Sequence, residues 1–315
     1  MNILYIVVPC YNEEEVLPET SKRLRVKMRE LISAGTISPE SRIMLVNDGS
    51  KDRTWELITA LHEADPMFDG VCLSRNRGHQ NALMAGLMTA REYADMVISM
   101  DADLQDDIGA VDEMVQRYLE GCDIVYGVRS SRGNDSAFKK GTAQSFYKLI
   151  NRMGGELVYD HADYRLLSKR ALDALSEYGE VNMFLRGIVP MLGYKTAIVE
   201  YVRGDRFAGE SKYPLSKMLN FAIDGVTSLT SKPIRFVFLA GCIFLLASLP
   251  LLIAGIVCAI AKTASAGYLF ISFLILMCGG AQLCATGVVG EYVGKTYLEA
   301  KKRPRYHISG ILHTD

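Results

Sequence analysis

Acidic residues are concentrated in the segment DADLQDD at positions 101–107. Asp101 and Asp103 are two residues apart, so at the end of a strand both carboxylates can point the same way. A hard divalent cation placed between them and the phosphates of a ligand would relieve their repulsion. Mg²⁺ or Mn²⁺ bound there would stabilise a leaving diphosphate. The alternative is a solvated turn that leads into a helix, which is the role we predict for Asp106 and Asp107.

The elements that must position these acids are short β-rich runs that alternate with helical patterns such as 54–62. The runs cover residues 3–9, 42–46, 70–73, 96–100 and 123–126, with a later strand at 196–202. This alternation predicts an α/β fold with a mostly parallel sheet, whose ligands bind beyond the carboxyl ends of the strands. Asp48 follows the second run as Asp101 follows the fourth. A shared site is therefore favoured, although an Asp-Gly turn is common by itself.

Three features argue against other classes of function. The turn after the first run, PCYNEEE at 9–15, lacks the glycines that let a dinucleotide pyrophosphate approach a helix, which disfavours a Rossmann dehydrogenase. A formal net charge of -1 argues against nucleic acid as a partner. The seven cysteines include no CxxC pair, so the sequence does not indicate a zinc or redox site.

Two long stretches, Phe236 to Ala261 and Thr263 to Gly290, contain no Asp, Glu, Lys or Arg and are separated only by Lys262. Each exceeds the roughly 20 residues that a helix needs to cross a bilayer, which predicts a two-helix transmembrane hairpin in an integral membrane protein. The alternative is a hydrophobic hairpin buried in a soluble protein. Lysines and arginines flank both outer ends of the hairpin, so we expect the N-terminal domain and both termini in the cytoplasm.

The chain thus divides into four predicted parts. Residues 1–213 form a catalytic domain, 214–231 an amphipathic helix, 232–290 the transmembrane hairpin and 291–315 a cytoplasmic tail. The amphipathic helix carries one apolar stripe, and we predict that it lies in the lipid interface. The alternative is an ordinary surface helix that packs on the catalytic domain.

Several motifs in order carry a resemblance to a known family. They are VPCYNEEE, VNDGSKDRT, SRNRGHQNAL, MDADLQDD, DYRLLSKRAL and RFAGESKYPLSKM, followed by the two apolar stretches. This combination resembles the family 2 glycosyltransferases and, within that family, the dolichyl- and undecaprenyl-phosphate sugar transferases. One departure is Asp107-Ile108, which stands where many relatives carry a proline pair, and it affects the start of the next helix more than the metal site.

The resemblance implies a GT-A-like domain that binds a nucleotide-sugar at the ends of its strands. It assigns the following residues to the donor: Pro9, Tyr11 and Glu13 beside the nucleoside, Asp48 at the base, and Asp101 near the ribose and the metal.

Asp103 would be the principal metal ligand in this scheme. Gln105 can assist it through the carboxamide oxygen, or can instead form a hydrogen bond at the helix N-terminus. Arg75, Arg77 and His79 follow the third strand, where they either help to hold the donor or form a solvated basic turn.

The resemblance places Asp163 near the acceptor as a candidate base. A lipid phosphate has its second pKa near 6 and is already an oxyanion at neutral pH, so Asp163 could instead orient the sugar or the acceptor. A further alternative is a helix-start acid paired with Arg165. Arg206, Ser211 and Lys212 are the predicted contacts of the acceptor phosphate. The alternative is that they are juxtamembrane residues attracted to anionic lipid.

The implied reaction is metal-dependent, inverting transfer of one sugar from a nucleotide-sugar to a polyprenyl phosphate at the cytoplasmic face of a membrane. The favoured substrates are UDP-glucose as the donor and undecaprenyl phosphate as the acceptor. The alternatives are another donor such as UDP-GlcNAc, or GDP-mannose with dolichyl phosphate. A nucleotidyltransferase is a rival, but it usually carries a glycine-rich basic turn after its first strand. A second rival is a non-catalytic membrane subunit that helps to move lipid-linked sugar across the membrane. Two transmembrane helices are few for forming such a path, although a homo-oligomer could supply more.

Overall fold

The structure is a computed structural model that describes residues 1–129, 161–180, 184–202 and 264–314. The chain divides into two compact units. One contains Met1–Ala222 together with Arg303–Asp315, and the other contains Ile223–Lys302.

The described strands and helices alternate along most of the chain. The strands are β1 Leu4–Cys10, β2 Arg42–Asn47, β3 Phe68–Leu73, β4 Met96–Ser99, β5 Ile124–Arg129, β6 His161–Ser168, β7 Thr196–Tyr201 and β8 Ile308–Leu312. The helices are α1 Leu17–Ser33, α2 Thr54–Ala64, α3 His79–Ala90, α4 Ala110–Leu119, α5 Lys169–Ser176, α6 Leu185–Met191 and α7 Ala264–Lys301.

The eight strands form one sheet in the order β7-β5-β6-β4-β1-β2-β3-β8. β4, β1, β2 and β3 run parallel to one another, as β5 and β7 do. β6 is antiparallel to both β4 and β5, and β8 is antiparallel to β3. The sheet is therefore mostly parallel, as the alternation of elements predicts, and it fits the GT-A-like domain that the resemblance implies.

Helices cover both faces of the sheet, which explains why strands such as β1 are buried along their whole length. Ile6 and Val8 of β1 belong to the core that contains the apolar residues of α1, α2 and α4. Tyr5 and Val7 belong to the opposite core with α3, α5 and α6. The sheet thus holds the carboxyl ends of its central parallel strands in fixed positions.

Two strands were not predicted. β6 contains Asp163 and Arg165, and two opposite charges inside a buried strand hide its apolar pattern. The alternative for Asp163, a helix-start acid paired with Arg165, is confirmed in its pairing and wrong in its position. The two residues are paired at 2.5 Å, but Asp163 lies within β6 and α5 begins only at Lys169. β8 falls within the predicted tail 291–315, part of which belongs to α7.

The structure does not support the predicted transmembrane hairpin. Its first helix and the predicted interfacial helix 214–231 lie outside the described residues. Its second helix falls within α7, which does not end with the apolar run at Gly290 but continues through the charged sequence EYVGKTYLEAK. Within the described parts of the chain, no helix combines the length and the apolarity that a bilayer crossing requires.

Gly86 offers a direct test of the packing between α3 and the sheet. A Cβ at this position would collide with the side chain of Val7 and lie 2.6 Å from Cγ2 of Val46. We expect Gly86→Ala to lower the free energy of unfolding by roughly 1–3 kcal/mol, because overpacking displaces buried neighbours. Gly179→Ala is the control, since a Cβ there would meet nothing within 4 Å. Equal denaturant midpoints for the two variants would contradict this packing.

Candidate functional site

The loops that follow β1 and β2 are joined by hydrogen bonds. The amide of Asn12 donates to Ser50 Oγ at 3.0 Å, and Asn12 Oδ1 accepts from the amide of Lys51 at 2.9 Å. The amide of Glu13 donates to Thr54 Oγ1 at 2.9 Å. Asn12 adopts a left-handed conformation with φ 53°, which turns the chain back toward the second loop.

These contacts determine where the predicted nucleoside residues lie. Pro9 is buried in β1 opposite Val46, so it shapes the end of the strand and offers little surface to a ligand. Tyr11 and Glu13 are half-buried in the loop that follows. The structure therefore brings Tyr11 and Glu13 close to the turn that contains Asp48.

Asp48 holds the loop 74–78 after β3. Its Oδ1 accepts from the amide of Arg77 at 2.7 Å, and its Oδ2 accepts from the amide of Gly78 at 2.9 Å. Burial raises the pKa of Asp48, and these two hydrogen bonds oppose that effect. Gly49 is required beside it, because it has φ 61° and a Cβ there would collide with the backbone of this loop.

Asp101 and Asp103 lie in the loop after β4. Hydroxyl Oγ1 of Thr20 donates to the carbonyl of Ala102 at 2.7 Å, which fixes the loop between the two acids. Asp103 Oδ1 accepts from the amide of Gln105 at 3.2 Å. Burial raises the pKa of Asp101; His79 opposes this effect, while the charges of Asp163 and Asp103 add to it.

Asp106 and Asp107 differ, although both were predicted to be solvated. Asp106 is buried and accepts a hydrogen bond of 2.5 Å from the hydroxyl of Tyr201, so the prediction for this residue is wrong. Burial, together with the charge of Asp101, raises the pKa of Asp106 to about 6. Asp107 is exposed, and its Oδ1 accepts from the amide of Gly109 at 2.8 Å ahead of α4.

Asp163 is buried among cations. Its Oδ1 lies 2.5 Å from Nη2 of Arg165, and its Oδ2 lies 3.2 Å from Nη2 of Arg186 and 3.6 Å from Nε2 of His79. Burial alone would raise the pKa of Asp163, but the charges of Arg186, His79 and Arg165 hold it well below its usual range. Ser99 Oγ donates to the carbonyl of Asp163 at 2.5 Å and so joins β6 to the end of β4, the strand that precedes the acidic pair.

His79 connects the two groups of acids. Its Nε2 lies 3.7 Å from Oδ1 of Asp101 and 3.6 Å from Oδ2 of Asp163. Burial lowers the pKa of His79, but the contact with Asp163 and the charges of both acids outweigh it and raise the pKa to about 9. His79 is therefore a cation at neutral pH and belongs to the site, whereas Arg75 is exposed.

Arg186 was not predicted from the sequence to belong to the site. This residue lies on the short helix α6 within the apolar run FLRGIVPM. A single arginine in such a run indicates a buried, paired charge, and that signal could have identified it. Arg206, Ser211 and Lys212, the predicted contacts of the acceptor phosphate, lie outside the described residues.

The acidic residues can accommodate a divalent cation only in part. Within the described chain, no three His, Cys, Asp or Glu side chains converge as a metal-binding group. Asp101 and Asp103 supply two carboxylates, and Gln105 follows them in the same loop. Burial, together with the charges of Asp163 and Asp103, raises the pKa of Asp101, and a bound cation would oppose this effect. The set fits Mg²⁺ or Mn²⁺ if a bound phosphate completes the coordination.

The raised pKa of His79 predicts a pH dependence of stability. A histidine with a raised pKa stabilises the fold fully below its unfolded value near 6.5, and this contribution is lost as the pH rises through about 9. We therefore compare the free energy of unfolding of the native protein with that of His79→Gln in metal-free buffer. Between pH 6.5 and about 9, we expect the difference between the two to fall by up to about 1.4 kcal/mol per pH unit. A stability difference that is independent of pH between 6.5 and 9 would contradict a protonated His79.

Residues 5–176 match the profile of Glycosyl transferase family 2. The chain is 48% identical to "Uncharacterized glycosyltransferase YkoT" of Bacillus subtilis (strain 168), over 99% of this chain and 93% of the relative. It is 37% identical to "Prophage bactoprenol glucosyl transferase homolog" of Escherichia coli (strain K12), over 97% of this chain and 98% of the relative.

Among solved structures, glucosyl-3-phosphoglycerate synthase from Mycobacterium tuberculosis, in a complex with Mn²⁺ and UDP-glucose, matches with a TM-score of 0.48 and 18% identity. The match covers 72% of this chain and 78% of that one. The sequence profile spans more than half of the chain and the relatives are similar over nearly their full length, and the chain therefore belongs to Glycosyl transferase family 2.

Proposed function

We propose that this protein transfers one sugar, with inversion, from UDP-glucose to undecaprenyl phosphate. The observation that carries the proposal is the position of His79 between Asp101 and Asp163, at 3.7 and 3.6 Å. Asp48 holds the loop that leads directly to His79. The choice of acceptor and sugar is supported by relatives named bactoprenol glucosyl transferase, 37% identical over 97% of this chain in one case.

The donor half of the proposed site consists of the loops after β1, β2 and β3. Tyr11 and Glu13 flank the nucleoside, and Pro9 shapes the strand end beneath it. Asp48 is proposed at the base while it also holds the amides of Arg77 and Gly78. These loops are fixed by hydrogen bonds before a ligand arrives, which reduces the entropy that binding would cost.

Asp101 and Asp103 are proposed to hold Mg²⁺ or Mn²⁺ together with phosphate oxygens of the donor, with Gln105 as a further ligand. When bound, the cation would neutralise charge on the leaving diphosphate. His79 is the cation that this chain itself supplies beside Asp101, at 3.7 Å.

The acceptor half needs no strong base. A lipid phosphate at neutral pH is an oxyanion, and its oxygen forms a bond to the anomeric carbon as the bond from that carbon to the diphosphate breaks. UDP leaves with the bonding electron pair, and no proton has to be removed. Asp163 is a poor proton acceptor because its pKa is depressed by cations. We therefore assign it the role of holding Arg186 and His79 in place.

The acceptor is a lipid, so the proposal requires a membrane. We propose that Arg206, Ser211 and Lys212 contact its phosphate and that 214–231 lies in the lipid interface. The apolar stretches within 232–290 would anchor the protein, with the catalytic domain 1–213 and both termini in the cytoplasm. The apolar, uncharged sequence of these stretches supports this part of the proposal.

The first test is transfer of labelled sugar to undecaprenyl phosphate in detergent with Mg²⁺ or Mn²⁺. UDP-glucose, UDP-GlcNAc, UDP-galactose and GDP-mannose would be compared as donors. We expect a metal-dependent lipid product and release of UDP from UDP-glucose. If folded protein released no nucleotide with any donor, the non-catalytic membrane partner would replace the enzyme.

Substitution of Asp103 tests the metal site. We expect Asp103→Asn to lower kcat by about 100-fold or more, because charge on the leaving diphosphate would lose its main stabilisation. Asp112→Asn is the control, since this exposed acid forms a surface ion pair with Lys27 at 3.0 Å. A kcat for Asp103→Asn within about threefold of the control would remove Asp103 from the site.

A double-mutant cycle distinguishes the two roles of Asp163. If Asp163 acts by holding Arg186, then Asp163→Asn, Arg186→Gln and the double variant should lower kcat/KM by similar factors. If Asp163 is the base, Asp163→Asn should lower kcat/KM roughly 100-fold more than Arg186→Gln does. Unfolding would be measured in parallel, because loss of Asp163 leaves the buried Arg165 without its carboxylate.

A further inference from the structure

The C-terminal segment 305–313 returns to the sheet after α7. β8 pairs with β3, from Gly70 opposite Leu312 to Leu73 opposite Ile308. The pairing continues past the end of β3, because the amide of Ser74 donates to the carbonyl of His307 at 2.9 Å. β3 would otherwise be an edge strand with unpaired backbone groups.

The far end of this segment is attached by side chains. Nδ1 of His313 lies 2.8 Å from Oδ2 of Asp69, and the hydroxyl of Tyr5 donates to the same oxygen at 3.2 Å. The His313 ring also stacks on Tyr93, with 4.1 Å between ring centroids. Asp69 is fully buried, and a buried carboxylate needs such polar partners. The attachment of β8 is therefore specific to this strand.

The near end of the segment leads to the candidate site. Ser74, which His307 holds, is the first residue of the loop 74–78. Arg77 and Gly78 at the other end of that loop donate their amides to Asp48. The loop is thus held at one end by Asp48 and at the other by the C-terminal segment, and His79 follows directly.

We propose that the segment 305–313 is a positioning element of the site, which holds the loop 74–78 in place for the donor. That the ligand is a nucleotide-sugar rests on the proposed function. That the segment orders the loop is independent of the proposed function. The segment acts on the loop through the backbone, by the hydrogen bond from the amide of Ser74 to the carbonyl of His307.

Amide hydrogen exchange of the loop tests this proposal without any substrate. One variant ends after Tyr306 and lacks β8, while the matched control ends after His313 and lacks only the last two residues. We expect the amides of Arg77 and Gly78 to exchange about tenfold faster in the shorter variant, and at the native rate in the control. Equal exchange in both chains would overturn the proposal.

Trp55 reports whether β8 is seated. It is the single tryptophan of the chain, and a Cβ on Gly310 would lie 3.9 Å from its Cζ2. Its emission should shift to longer wavelength in the shorter variant. If that variant does not fold, His313→Phe replaces it, since this substitution keeps a ring beside Tyr93 but loses the contact with Asp69. His313→Asn restores a donor nitrogen and should return exchange toward the native rate.

Kinetics separate positioning from general structural damage. For the shorter variant or His313→Phe, we expect KM for the donor to rise about tenfold while kcat changes by less than about threefold. Unchanged KM in a variant with faster loop exchange would overturn the role in donor binding. Faster exchange in a protein whose full chain transfers no sugar would leave the positioning role standing and overturn the proposed function instead.

Discussion

A buried negative charge on Asp163 is the constraint on which the site depends. A carboxylate removed from water must be paired, and here Arg165, Arg186 and His79 supply the positive charges. Each partner belongs to a different part of the fold: Arg165 to β6, Arg186 to α6 and His79 to the start of α3. Pairing one charge therefore requires three elements to come together. The same requirement brings His79 within 3.7 Å of Asp101.

Backbone hydrogen bonds complete the arrangement on the donor side. Asp48 uses both carboxylate oxygens to hold loop amides, and the loop that it holds delivers His79 to the acids. The loops after β1 and β2 bind each other through Asn12 and Glu13. A site built in this way is rigid before a ligand binds, so its acids stay close together despite their repulsion.

Much of the fold follows from the amino-acid pattern. The strands β1 to β5 and β7 occur where short β-rich runs predict them. In central strands such as β1, burial on both faces requires nearly continuous apolar sequence, whereas β7 lies at an edge of the sheet and is partly exposed. β6 escaped prediction because Asp163 and Arg165 neutralise each other inside the core, which no local pattern reveals. β8 was not predicted either, because Ile308–Leu312 forms a strand only by pairing with β3, which is far away in sequence.

The site shows the same division between local and distant information. Asp48, Asp101 and Asp103 can be found from the sequence because each follows a predicted strand, and the carboxyl ends of parallel strands meet at one edge of a sheet. The sequence by itself also determined the family, through ordered motifs. Only the tertiary structure decided that Asp106 is buried, that Arg186 is a partner of Asp163, and that His79 is held between two acids. These properties depend on distances between residues remote in sequence, and such distances determine burial and charge in a way that residue type alone cannot.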